Sequence, residues 1–135
     1  MNAVQLIATC TFCVCSLASC SWTADLQDVP GTYVMNHGVA RDTLVVRSDS
    51  TYQRTYLRPG AVAVIDRGRW GTSHIERDTY VSFDSFPVRW RTETSPNEQP
   101  VAGVWPVIPE RTITGKLKLV VDADLGWAYV QVTRP

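Results

Sequence analysis

The sequence predicts an all-β domain, an antiparallel up-and-down meander curled into a small barrel or half-barrel, behind an N-terminal export signal. Three observations carry this expectation. Runs rich in β-branched and aromatic residues alternate with turn signals at intervals of about 8–12 residues along residues 29–135. No segment after Cys20 keeps apolar residues at helical spacing over the length of an ordinary helix. The chain after Cys20 has no cysteine, so the domain holds together by packing and without an internal disulfide. Consecutive hairpins favour a meander, because neighbours in sequence tend to be neighbours in space, and curling hides the sheet edges. A two-sheet sandwich is the competing arrangement.

Gly31 to Asn36 reads as the first strand, and Asp42 to Ser48, with Leu44, Val45 and Val46, as the second. Ser48-Asp49-Ser50 is a tight turn. Thr51 to Leu57 returns with Tyr52 and Tyr56 on one face, the clearest hairpin in the chain. Arg58-Pro59-Gly60 breaks the run, Ala61 to Asp66 follows, and Arg67-Gly68 turns into a strand from Arg69 to Ile75 centred on Trp70. After a turn at Glu76-Arg77-Asp78, Thr79 to Asp84 places Val81 and Phe83 on one face. Val88 to Thr94 alternates Val88 and Trp90 against Arg89 and Arg91, and residues 94–103 form the longest irregular stretch. Pro106 and Pro109 mark Val104 to Ile108 as an edge strand or no strand, since proline removes a ladder donor. Arg111 to Val121 carries Leu117, Leu119 and Val121 on one side. A turn at Asp122 to Gly126 leads into the closing strand, which ends at Thr133.

The first charged side chain is Asp25, and all four cysteines (Cys10, Cys13, Cys15, Cys20) precede it. Ala3 to Ala18 is uncharged and mostly apolar, shorter than the roughly 20 residues a transmembrane helix needs and suited to the core of a signal peptide. No Lys or Arg precedes it, so the terminal amine supplies the only positive charge there. Plain secretory cleavage after Ala18 or Ser19 and a retained membrane anchor are two readings of this stretch. A third comes from Leu17-Ala18-Ser19-Cys20, which resembles the bacterial lipoprotein lipobox. That resemblance implies removal of residues 1–19, diacylation of the Cys20 sulfur, and membrane lipid as a partner, with residues 20–28 as a short tether. Acyl chains contribute about 0.8 kcal/mol per buried CH₂, so two or three give lasting attachment where one does not. Ser21 after the cysteine, by the same resemblance, implies the outer membrane of a cell envelope.

Val29-Pro30-Gly31-Thr32-Tyr33, Asp42-Thr43-Leu44, Ser50-Thr51-Tyr52 and Gly68-Arg69-Trp70 look like the opening of small bacterial lipoproteins with a lipocalin-like β-meander domain. The tail from Gly115 to Tyr129 is similar to their final hairpin. Ser50 stands where that hairpin usually has glycine. The resemblance implies a lipocalin-like barrel outside the cytoplasm and brings no activity with it.

The chain has 135 residues, with 13 Lys and Arg against 13 Asp and Glu. That balance argues against nucleic-acid binding, which relies on a positive field. Asp122-Ala123-Asp124 starts like a calcium loop but lacks its closing glutamate, and carboxylates with glycine are ordinary turn material. His37 and His74 have no second ligand at metal spacing. Ser73 and His74 are adjacent, so on a strand they face opposite ways and form no nucleophile–base pair. No metal, cofactor or enzymatic activity is therefore expected. Arg89-Trp90-Arg91, with Trp70 on another strand, is the one candidate ligand-lining set, since Arg offers fixed donors and Trp a flat apolar face. Set against it is Trp90 as ordinary core. Two functions follow. One is an anchored envelope protein that takes a small hydrophobic or amphiphilic ligand inside the barrel. The other is a structural or protein-interaction lipoprotein without a ligand cavity, which binds an envelope protein through a face near Pro106.

Overall fold

A computed structural model describes residues 24–76, 78–87 and 102–134. Eight antiparallel strands among the described residues close into an up-and-down barrel: β1 (Gly31–His37), β2 (Ala40–Val46), β3 (Thr51–Leu57), β4 (Val64–Ile75), β5 (Asp78–Pro87), β6 (Ala102–Arg111), β7 (Leu117–Asp122) and β8 (Trp127–Thr133). Each strand pairs with the next, and β8 returns to β1 with Tyr33 opposite Gln131 and Val34 opposite Val130. The closure replaces the half-barrel and sandwich alternatives, and it removes the long sheet edges that invite aggregation.

Period-two alternation sorts the side chains. Ala40, Asp42, Leu44 and Val46 of β2 point inward, as do Tyr52, Arg54 and Tyr56 of β3. Two aromatic residues break the alternation. Phe83 and Phe86 lie three apart on β5 and yet both are buried. An irregularity between them, with Ser85 at a φ of 56°, inserts a residue and resets the parity, as a β-bulge does.

Three elements differ from the sequence reading. Residues 64–75 form one strand where two strands and a turn at Arg67-Gly68 were expected. Gly68 stays extended because the Tyr52 ring and the Asp84 carbonyl occupy the space beside it. A Cβ there would come within 2.7 Å of the ring and 2.5 Å of the carbonyl oxygen. The glycine marks a close approach, and the Tyr52 hydroxyl spans it to donate to the Asp84 carbonyl at 2.8 Å. Residues 102–111 form a full strand despite Pro106 and Pro109. Pro106 pairs with Ser82 of β5, whereas Pro109 pairs with Leu119 of β7. At each proline β6 is registered with only one neighbour, so each sits where the strand is locally an edge. Finally, Arg111 ends β6, and a turn at Thr112–Lys116 separates it from β7, where one strand was expected.

Part of the expected tether is also folded. Leu26–Asp28 is a 3-10 turn capped by the Asp25 side chain. It leads into Val29, which is fully buried. The Tyr33 hydroxyl donates to the Val29 carbonyl at 2.5 Å, Gln131 Nε2 donates to the Asp28 carbonyl at 3.3 Å, and Arg111 forms an ion pair with Asp28. The turn is thereby latched across one end of the barrel. The β2–β3, β4–β5 and β6–β7 connections share that end, while the β1–β2, β3–β4 and β7–β8 connections lie at the other. The expected strand from Val88 to Thr94 lies outside the described residues.

Gly68→Ala tests the close approach. Overpacking that the neighbouring backbone cannot relieve costs about 1–3 kcal/mol, and urea unfolding should show the loss as a lower midpoint with an unchanged slope.

Candidate functional site

A lipocalin-like ligand would occupy the barrel interior. Five aromatic side chains take up much of it: Tyr33, Tyr52, Phe83, Phe86 and Tyr129, each no more than 1% exposed. Four of the rings form a chain of contacts. Tyr52 meets Phe83 edge-on at 5.3 Å between centroids, Phe83 lies 5.4 Å from Phe86, and Phe86 lies 6.4 Å from Tyr129. Leu44, Val81, Val107, Leu117 and Leu119 complete the core around them.

Within this apolar filling sits a buried charge. Arg54 is 0% exposed and Asp42 1%. Arg54 Nε lies 3.0 and 2.9 Å from the two Asp42 carboxylate oxygens, and one terminal nitrogen of the guanidinium also binds Asp42. The other terminal nitrogen donates to the Pro87 carbonyl at the end of β5. The guanidinium plane lies 4.6 Å from the Phe86 ring centroid. Burial works against its charge, but Tyr129, Asp42 and Asp66 outweigh that and hold its pKa above the usual value. The Tyr129 hydroxyl sits beside both charged groups without reaching hydrogen-bond geometry to a partner among the described residues. Burial, then the Asp42 charge, push its pKa well above the ordinary phenol value. The cluster ties β2, β3 and β5 together across the barrel and turns its polar groups toward one another.

Of the residues expected to line a ligand site, only Trp70 is described. It packs against the core cluster at the end that carries the 3-10 turn, and its indole N–H donates to the Arg47 carbonyl at 2.7 Å. That bond, with the Trp70 backbone N–H donating to the Ser50 carbonyl at 3.0 Å, ties β4 to the β2–β3 turn. Arg89, Trp90, Arg91 and the proposed lipidation residue Cys20 lie outside the described residues. Arg54 and Asp42 went unnoticed in the sequence as interior residues. The signal that could have found them is the parity of Tyr52, Arg54 and Tyr56, which puts all three on one face.

The remaining motifs serve as local structure. Asp122 accepts from the Leu125 N–H at 3.0 Å and so caps the β7–β8 turn. His37 stacks edge-on with Trp127, and His74 Nδ1 lies 3.1 Å from the Thr79 hydroxyl. Among the described residues no three His, Cys, Asp or Glu side chains gather to hold a metal, and no helix is long and apolar enough to cross a membrane.

The outer surface carries a second feature. Ile108 of β6 pairs with Val120 of β7, Val120 with Ala128 of β8, and Val130 of β8 with Val34 of β1. Val120 is nearly buried, whereas Val104 (66% exposed), Pro106 and Ile108 of β6 and Val130 and Val132 (50%) of β8 are exposed apolar positions, with the Lys118–Glu110 ion pair between the two strands. Comparison with protein-family models, curated proteins and solved structures found no significant match.

Two outcomes follow for the interior. Asp42→Ala strands a buried guanidinium and should cost about 3–5 kcal/mol in urea unfolding, while Asp42→Leu combined with Arg54→Met should cost less than the single change. Tyr52 is pushed up to about 12 by burial and then by Asp66, and Tyr33 and Tyr129 are raised as well. Folded-state values above the unfolded value of about 10 leave stability intact below that pH and remove it as pH rises further. Phenolate absorbance should therefore grow in step with loss of the circular dichroism signal in alkali. Phenolate appearing from these three residues in a fully folded protein would contradict the burial described.

Proposed function

We propose that this chain is a small bacterial envelope lipoprotein, anchored by acylated Cys20 and carrying no lipid inside its barrel, that acts through its outer surface as a structural or protein-interaction module. The observation that supports this reading is the close packing of the inward side chains among the described residues. Aromatic rings and a mutually satisfied ion pair stand where a hydrophobic ligand would lie, and opening room would separate Phe86 from the Arg54 guanidinium and expose both. The exposed apolar row of Val104, Pro106 and Ile108 on β6 supports the interaction reading, since exposed apolar surface marks contact sites. The Leu17-Ala18-Ser19-Cys20 sequence supports the anchor, and Ser21 supports the outer membrane.

Mass spectrometry of protein extracted from membranes should find an acylated N-terminus at residue 20, absent from Cys20→Ala. Intrinsic tryptophan fluorescence of residues 21–135 made without the leader, titrated with fatty acids, phospholipids and sugars, should show no saturable change. A saturable change would favour the ligand-carrying alternative. Cross-linking in intact envelopes should give a discrete adduct that weakens in Ile108→Asp while the melting temperature holds.

A further inference from the structure

We propose that the end of the barrel carrying the 3-10 turn rests on the bilayer, with Ile113 entering the lipid interface; this rests on the reading that Cys20 is acylated. The chain between Cys20 and Ala24 reaches no further than about 14 Å when fully extended. Ala24 already packs against the core cluster, and the 3-10 turn that follows is latched to the barrel by Asp28–Arg111 and by Gln131. The anchor therefore cannot swing the barrel over. Its near end faces the membrane, and its far end lies roughly 20 Å away along the seven-residue β1.

The near end carries a side chain suited to that position. Ile113, at the tip of the β6–β7 turn, is fully exposed. The turn that presents it is braced within itself. Thr112 N–H donates to the Lys116 carbonyl at 2.8 Å, Gly115 N–H to the Thr112 carbonyl at 2.9 Å, and Lys116 N–H to the Thr112 hydroxyl at 3.1 Å. These polar groups keep their partners when water is withdrawn, as interfacial insertion requires. Arg111 and Arg134 both reach the Gly115 carbonyl, which ties the turn to the latched end. Leu26 and Ile75, 37% and 48% exposed, stand at the same end. The far end also exposes apolar side chains, Val39, Val62 and Leu125 among them, so exposure alone does not select an end. The short tether does. Acidic and basic groups are mixed here, with Asp25, Asp49 and Glu76 beside Arg47, Lys116 and Arg134, so docking depends on apolar insertion and needs no anionic lipid.

The lipidated chain offers no free thiol once residues 1–19 are removed and Cys20 is capped, so a single cysteine can be labelled at Ile113→Cys or, at the far end, Leu125→Cys. Each labelled protein is reconstituted in phosphatidylcholine vesicles with brominated acyl chains, and acylation of Cys20 is checked by mass spectrometry on the same sample. An environment-sensitive fluorophore at position 113 should be quenched about threefold more than one at 125, as for an apolar group buried in the headgroup boundary. Equal quenching at both positions, or none at either, on an acylated protein overturns the docking and leaves the anchor standing. Absence of acylation overturns both.

Discussion

A guanidinium with no exposure at the centre of an eight-stranded barrel sets the terms for everything around it. Arg54 can be charged there only if its partners arrive with it, and those partners come from β2 and from the end of β5. The pair is weak evidence for stability in itself, because desolvation offsets most of the attraction between buried charges. Its consequence is geometric. A shift of β3 by one residue against β2 would turn Arg54 out and Thr55 in, leaving Asp42 buried without its cation. The ion pair thereby fixes one register, and the rings of Phe86 and Tyr129 then pack against it as its apolar surround.

The latched end applies the same logic to a less buried pair. Asp28 and Arg111 lie far apart in sequence and meet at the barrel mouth, where Gln131 and Tyr33 bind neighbouring backbone carbonyls. Four elements are held there: the 3-10 turn, β1, the end of β6 and β8. A domain without a disulfide has few ways to join its N-terminus to its C-terminal strand. Polar side chains that satisfy the carbonyls of an incoming turn are one of them. The result couples any pull on the N-terminus directly to the seam where β1 and β8 close the barrel.

Much of this was legible along the chain, for a physical reason. Alternation reports which face a residue occupies, and the hairpin of β2 and β3 follows it residue by residue, with Leu44, Val46, Tyr52 and Tyr56 inside. What alternation does not report is the partner. The parity that placed Tyr52 and Tyr56 inside placed Arg54 there too, but an arginine reads as surface until a carboxylate on another strand is known to face it. Gly68 read as a turn because the ring that crowds it arrives from β3 and the carbonyl from β5. Pro106 and Pro109 read as breaks because the sequence does not show that β6 changes neighbours between them. Each miss concerns a relation between strands. The expected ligand-lining set at Arg89, Trp90 and Arg91 lies outside the described residues, so the interior is known here from the other strands.

If the packed interior takes no ligand, the barrel still has two surfaces on which to act, its ends and its sides. The proposed anchor would divide them. If the acyl chains hold the latched end near the bilayer, the exposed apolar row of Val104, Pro106 and Ile108 on β6 stands roughly upright against the membrane plane, because that strand runs from one end to the other. A partner in the same envelope then meets this face sideways, with both molecules already confined to one surface. Confinement raises the effective concentration of a weak contact without adding any new interaction to it. A modest apolar surface is enough under that condition, and the bonds from Gln131 of β8 to the 3-10 turn would hold that surface in one orientation relative to the proposed anchor.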